Sequence, residues 1–91
     1  MKLSFPNPSR SFDANKNRVL FWGYDSAIEV SFFVEADALN LTDPHANCSE
    51  ADFLQAFDAL RKRIYEVANK VYMRGGKGTY SYVLGAKDFD G

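Results

Sequence analysis

Apolar and polar positions alternate in two neighbouring segments of the first half of the chain. Residues 18–24 (RVLFWGY) are rich in β-branched and aromatic side chains, and residues 27–34 (AIEVSFFV) follow the turn signal Asp25-Ser26. These patterns predict two β-strands joined as an antiparallel hairpin. In the second strand, the alternation places four apolar residues on one face: Ile28, Val30, Phe32 and Val34.

Two weaker strand patterns lie further towards the ends of the chain. Residues 11–14 predict a short strand that ends at the polar turn 15–17 (NKN). Residues 79–84 (TYSYVL) predict a last strand, followed by a bulge or turn at Gly85. The alternation in the last strand puts three residues on one face: Tyr80, Tyr82 and Leu84.

Between residues 49 and 74 the apolar residues recur every three or four positions, which predicts one long helix. Ser49 is a favoured N-cap residue, Asp52 is a shorter version of the capping-box acid, and Gly75-Gly76 ends the helix. A short helix or helical turn is predicted just before it, over residues 35–41. The stripe of the long helix contains seven residues: Phe53, Phe57, Leu60, Ile64, Val67, Ala68 and Val71.

The order of these elements predicts the fold class. Strands followed by helices and one more strand indicate an α+β protein. We expect an antiparallel sheet of three to four strands packed against one long helix in the C-terminal half, with a short preceding helix. The helix stripe should lie on the sheet face that bears Ile28, Val30 and Phe32. The length of 91 residues allows a single domain, residues 1–91.

The strand at residues 18–24 is apolar on both faces. Leu20, Trp22 and Tyr24 share one face, whereas Val19, Phe21 and Gly23 share the other. A two-layer domain covers only one of these faces. We therefore expect either a homodimer or an extended N-terminal arm that folds across the second face through Phe5. Trp22 and Tyr24 are accordingly candidates for an interaction surface.

Composition and charge narrow the classes of function. The net charge of -1 and the sequence pI near 5.7 argue against a generally basic, DNA-coating protein. No apolar run approaches the roughly 20 residues that span a bilayer, so no membrane association is predicted. The N-terminus lacks the apolar core of a signal peptide, and the single Cys48 fits a reducing compartment. These observations predict a cytoplasmic protein.

Basic residues crowd the second half of the long helix. Their spacing puts Arg63, Lys70 and Arg74 near one line, and Lys77 follows in the next loop. These four complete the candidate interaction surface. The preferred interpretation is a solvated flank of an amphipathic helix with weak i,i+4 pairs, and the alternative is contact with nucleic acid.

The remaining chemical motifs are weak. His45 and Cys48 lie among three carboxylates in residues 43–52, but the spacing matches no established zinc site and no second pair of soft ligands exists. A catalytic pair of these two residues lacks an orienting third group. The basic, glycine-rich residues 74–79 fail the phosphate-loop pattern, because Val71 and Gly78 stand where glycine and serine or threonine are required. The sequence predicts no catalytic residue, no metal and no cofactor, and leaves a small-molecule ligand open.

Six segments spread over nearly the whole chain carry a resemblance: Phe5-Pro6-Asn7, Ser9-Arg10-Ser11-Phe12-Asp13, Val19-Leu20-Phe21-Trp22-Gly23, Glu29-Val30-Ser31-Phe32, the helix over residues 51–72, and Arg74-Gly75 before Tyr80. Together they resemble a family of small, uncharacterised bacterial proteins known only as a domain of unknown function. The resemblance implies a bacterial cytosolic protein and an α+β fold, and it transfers no activity or site.

The combined expectation is a small interaction or regulatory module without catalysis of its own, with a protein partner or self-association. A nucleic-acid-associated regulator that uses the basic end of the long helix is the alternative. A small enzyme or ligand-binding protein ranks last, because the chain is poor in the residue types that catalysis uses.

Overall fold

The computed structural model describes residues 3–39, 49–75 and 79–89. The strands in chain order are β1 (Arg10–Asp13), β2 (Arg18–Asp25), β3 (Ile28–Glu35) and β4 (Ser81–Leu84), and the long helix α1 (Glu50–Arg74) precedes β4. Two short 3-10 helices, Ala36–Leu39 and Ala86–Phe89, follow β3 and β4. The α+β class, the strand hairpin and the long C-terminal-half helix are confirmed.

The four strands form one sheet in the order β1-β2-β3-β4. β1, β2 and β3 pair antiparallel, whereas β4 lies parallel to β3. The expectation of a wholly antiparallel sheet is therefore wrong for its last strand. Because the chain returns through α1 between β3 and β4, it enters the fourth strand from the same end as the third, as crossover connections through a helix do.

Both hairpin turns place one residue in the left-handed backbone region. Asn17 ends the β1–β2 turn with φ 51°, and Ser26 begins the two-residue β2–β3 turn with φ 57°. Asparagine tolerates this conformation better than most residues, which is why the polar segment at residues 15–17 predicted a turn correctly.

α1 begins and ends where the sequence predicts. The Ser49 side chain accepts a hydrogen bond from the Asp52 backbone N–H at 3.3 Å, and the Asp52 carboxylate accepts from the Ser49 backbone N–H at 2.8 Å, which completes a capping box. At the other end Gly75 is extended, with φ -71°, so its glycine is not required by a left-handed cap. A Cβ at Gly75 would lie 2.6 Å from the Tyr82 hydroxyl oxygen, so a larger residue at this position would have to displace the end of the Tyr82 side chain.

One face of the sheet, the inner face, packs against α1. Phe57 and Ile64 of the helix are fully buried against Phe21 and Phe32 of the sheet, with the Phe21 and Phe57 rings 5.2 Å apart. Ile28 was expected in this core but is 46% exposed, because it is the first residue of β3, next to the turn. Among the described residues, fourteen form the buried apolar core: Leu3, Val19, Phe21, Val30, Phe32, Val34, Ala38, Leu39, Phe53, Phe57, Ile64, Val67, Ala68 and Leu84.

The N-terminal arm, residues 3–9, runs beside α1. The Leu3 backbone N–H donates to the Asn69 side chain at 2.9 Å, and the Phe5 ring stacks on the Tyr65 ring at 4.1 Å. Phe5 also covers Gly23, where a Cβ would lie 2.7 Å from the ring. The expectation that Phe5 crosses the second face of β2 is therefore wrong, because Phe5 packs on the inner face. Gly23 has no side chain and leaves space for the ring there, and Tyr65 provides a ring on which it stacks.

Candidate interaction surface

The sheet face opposite α1, here called the outer face, is made of the alternate residues of each strand. The register pairs Val19 with Val34 and Phe21 with Phe32 on the inner face, so their sequence neighbours point the other way. The outer face contains twelve residues: Ser11, Asp13, Arg18, Leu20, Trp22, Tyr24, Glu29, Ser31, Phe33, Glu35, Ser81 and Val83.

The centre of the outer face is apolar and exposed to solvent. Leu20, Phe33 and Val83 form a row across β2, β3 and β4, and Trp22 lies beside it along β2. Val83 is 49% exposed and the other three are half-buried. The arm, α1 and both 3-10 helices contribute apolar residues to the core or pack them against it, on the inner side. An apolar surface of this kind is typical of a contact site.

Charged groups border the apolar row. The Arg18 guanidinium pairs with the Asp13 carboxylate at 3.1 Å and lies over the Phe33 ring at 3.9 Å. At the other end of the strands the Tyr24 hydroxyl donates to the Glu29 carboxylate at 3.1 Å. The outer face therefore combines an apolar centre with a polar rim, as protein interfaces do.

The basic residues of α1 lie on the other side of the molecule. Arg63 is half-buried and donates to the Phe89 carbonyl at 2.9 Å, so it holds the C-terminal 3-10 helix. Lys70 and Arg74 are exposed, and Lys77 lies outside the described residues. Since α1 covers the inner face, the structure separates these cations from Trp22 and Tyr24, and the six predicted residues belong to two different regions.

A second cluster, which the sequence did not indicate, lies where α1 ends. The Tyr72 hydroxyl donates to the Asp25 carboxylate at 2.6 Å, and this hydrogen bond raises the pKa of Tyr72 to about 12. Its ring meets the Tyr82 ring edge-on at 6.0 Å. A phenol that holds its proton this strongly is a poor general base at neutral pH. The cluster therefore joins the helix end to the β2–β3 hairpin.

A third feature is a groove of about 400 Å³ between the arm and the solvent side of α1. It is lined by three apolar or aromatic residues, Leu3, Phe5 and Tyr65, and by four polar residues: Lys62, Glu66, Asn69 and Lys70. It contains no buried polar side chain, since the buried residues of the described chain are all apolar. Its polar side chains are exposed or half-buried, whereas a ligand site usually encloses the few polar groups that orient a small molecule.

The metal-type motif of the sequence falls on residues that the structure does not describe. His45 and Cys48 both lie within residues 40–48. Over residues 3–39, 49–75 and 79–89, no group of three His, Cys, Asp or Glu side chains is arranged to hold a metal ion. The same ranges contain no helix with the length and apolar character that crossing a membrane requires.

The model of a family described as protein of unknown function (DUF1488) matches residues 3–84. The chain belongs to this family. The match to DUF1488 covers all four strands and α1, and therefore both faces of the sheet. Comparison with curated proteins and with solved structures gives no match.

Proposed function

We propose that this DUF1488 chain is a small interaction module of the bacterial cytoplasm that regulates or scaffolds through contact and catalyses no reaction itself. The observation that carries the proposal is the apolar row Leu20, Phe33 and Val83, with Trp22 beside it, on the outer face, which no described helix covers. Removing apolar surface from water stabilises a complex by about 25 cal/mol per Å². A partner that covers this row gains that stabilisation.

Two side chains of the outer face have the properties of interface anchors. Trp22 and Tyr24 are half-buried, so each is held by its neighbours and still presents part of its ring to solvent. Rings of this kind bury a large area at low cost in side-chain entropy, and tryptophan and tyrosine are enriched where binding energy concentrates. We expect these two residues to contribute more to binding than the polar rim.

The alternative function is a regulator that contacts nucleic acid through α1. Its support is the exposure of Lys70 and Arg74 on one flank of the helix. Against it stand the use of Arg63 as a structural donor and the net charge of -1. Counterion release needs several free cations, so this function ranks second.

The test of the proposed function is site-specific photo-crosslinking in the cells that make the protein. A photoreactive amino acid replaces Leu20 in one variant and Met73 in the control. Met73 is 58% exposed and lies on α1, away from the outer face, so the two probes sample apolar positions on opposite sides of the molecule. We expect defined crosslinked products from position 20 and none from position 73. Products that are the same at both positions, or none at either, would refute the outer face as the contact surface.

A further inference from the structure

The outer face is complementary to itself along its two long strands. On this face each residue of β2 lies directly opposite a residue of β3 that suits it in charge, polarity or size. The first pair consists of a cation and a carboxylate, and the second of two apolar side chains. The third consists of a large and a small side chain, and the fourth of a hydroxyl donor and an acceptor. These pairs are Arg18–Glu35, Leu20–Phe33, Trp22–Ser31 and Tyr24–Glu29.

A two-fold axis between β2 and β3, parallel to the strands, repeats all four pairs between two molecules. A rotation about this axis leaves each residue at the same height along the strands. It places β2 of one copy over β3 of the other. Sheets stack in this aligned way about 10 Å apart, with strand directions within about 30°. We infer that a second copy of this chain covers the outer face and forms a symmetric dimer. This inference rests on the proposed function of the outer face as a contact surface.

Charge decides the direction of the axis. With the axis parallel to the strands, Arg18 of each copy lies over Glu35 of the other. Glu35 is exposed and forms no ion pair with any described residue, so its carboxylate is available. An axis perpendicular to the strands reverses the ends and places Glu35 over Glu29 of the other copy, and like charges at an interface disfavour that arrangement.

Size complementarity supports the same arrangement. The parallel axis places Trp22, the only tryptophan of the chain, over the small Ser31 of the other copy. It also places Leu20 over Phe33 twice, at the centre of the face. The Arg18 guanidinium, which lies over the Phe33 ring at 3.9 Å in the single chain, then turns to Glu35 of the other copy. Alternation of large and small side chains across facing layers is what allows two sheets to interdigitate.

The area of the outer face predicts a weak, reversible dimer. β2 and β3 have eight residues each, while β1 and β4 have four. At about 3.3 Å per residue and about 4.8 Å between strands, the face projects to roughly 400 Å². Stable interfaces bury about 800 Å² of accessible surface per partner. Because side chains protrude from the sheet, the accessible surface of this face exceeds its projected area and reaches the lower end of the range for stable interfaces. We expect a dissociation constant of roughly 1–100 µM.

The first experiment measures the mass of the full chain by sedimentation equilibrium over a range of concentrations. The wild type should shift from 10.3 kDa towards twice that mass as its concentration rises. Trp22 emission should move to shorter wavelength over the same range, because dimerisation removes its ring from water. Leu20→Asp should raise the dissociation constant at least about 10-fold, whereas the matched control Met73→Asp should leave it unchanged.

The second experiment tests the axis itself by charge exchange. Glu35→Arg and Arg18→Glu should each be monomeric, because each places like charges across the interface twice. An equimolar mixture of the two variants should form a heterodimer, because both contacts then join an arginine with a glutamate. Circular dichroism checks the fold of each variant, since Arg18 also pairs with Asp13. If Arg18→Glu does not fold, Glu35→Arg alone must still abolish the dimer.

Clear outcomes contradict the inference. A wild type that stays monomeric at about ten times the expected dissociation constant refutes it, as does a dimer that Leu20→Asp leaves intact. A dimer that forms with unaltered strength in Glu35→Arg refutes the axis and with it this mode of association. A monomer whose position 20 crosslinks to a different protein refutes the dimer and leaves the proposed function standing. A monomer with no crosslink at position 20 refutes both.

Discussion

At the scale of single residues, two positions determine how the inner face closes. Phe57 is fully buried where α1 crosses the sheet, with its ring 5.2 Å from that of Phe21. Gly23 leaves the space that the Phe5 ring fills. Phe57 fills space in the core with its ring, whereas Gly23 leaves space for the ring of another residue. Close packing of the core depends on both.

Phe57→Ala should lower the free energy of unfolding by about 3–5 kcal/mol, because it deletes a buried ring and leaves a cavity. For a domain of this size that is a large part of a total of roughly 5–14 kcal/mol. Chemical denaturation followed by circular dichroism measures the loss. Met73→Ala, at an exposed position of the same helix, should change it by less than about 0.5 kcal/mol. Equal values for the two variants would show that Phe57 is not a core residue.

Gly23→Ala should destabilise the protein by about 1–3 kcal/mol, because the added Cβ forces the Phe5 ring away from Tyr65. The stack that is lost has its ring centroids 4.1 Å apart. A double-mutant cycle separates this effect from backbone strain: in a Phe5→Leu background the same substitution should cost much less. An undiminished cost in that background would place the clash elsewhere.

At the scale of elements, the arm and β1 are attached to α1 by a small polar network. Arg10 donates to both carboxylate oxygens of Asp58, at 3.0 and 2.8 Å, and Arg61 donates to Asp58 at 2.8 Å and to the Pro8 carbonyl at 2.9 Å. These contacts connect the arm, through Pro8, and the first residue of β1, Arg10, to the long helix. The hydrogen bond from Arg10 is the main cause that lowers the pKa of Asp58.

The lowered pKa of Asp58 predicts how this attachment depends on pH. Since the folded state binds the Asp58 proton less readily than the unfolded state, its contribution is complete above the unfolded pKa of about 3.9. It is lost as the pH falls through the lower, folded pKa. Asp58→Asn should therefore destabilise the protein at neutral pH and lose its effect in acid. The side chain is 43% exposed, so solvent screening keeps the difference below about 1 kcal/mol.

Urea denaturation at neutral and acid pH measures this prediction. Arg10→Met provides the control, because removing the main donor should reduce the pH-dependent effect of Asp58→Asn to the part that Arg61 contributes. An effect of Asp58→Asn that is the same at neutral and acid pH would contradict the assignment.

At the scale of the whole molecule, the two faces of the sheet differ in how far they are covered. The inner face is closed by α1, the arm and the 3-10 helices, whereas the outer face keeps Leu20, Trp22 and Phe33 partly in solvent. The exposed cations Lys70 and Arg74 lie on the helix side, so a protein contact and a nucleic-acid contact would use opposite sides of the molecule. This separation makes the two functions distinguishable by mutation.

We expect no submicromolar binding to DNA or RNA at physiological salt, because the net charge is -1 and Arg63 is engaged with the Phe89 carbonyl. Titration of labelled single- and double-stranded oligonucleotides at two salt concentrations measures it. Tight binding that weakens steeply with salt, and that disappears in the double variant Lys70→Glu with Arg74→Glu, would reverse the ranking of the two functions.

Much of the secondary structure follows from local patterns in the sequence. The period-two alternation of residues 18–24 and 27–34 predicts β2 and β3 to within one residue, and the capping pair Ser49 and Asp52 predicts the start of α1. Each of these signals lies within a few positions of the residues it organises, so the chain carries it without reference to distant contacts. The candidate surface was partly predictable for the same reason, since alternation alone shows that β2 is apolar on both faces.

Only the tertiary structure decided which distant residues meet. It placed β4 parallel to β3 and Phe5 on the inner face over Gly23. It also brought the Phe89 carbonyl within hydrogen-bonding distance of Arg63. It also separated the cations of α1 from Trp22. These outcomes depend on the path of the chain between elements and on the space that packing leaves. The local spacing of apolar and polar residues determines neither. Amphipathic patterns therefore determined the elements, whereas long-range packing determined the side on which each functional candidate lies.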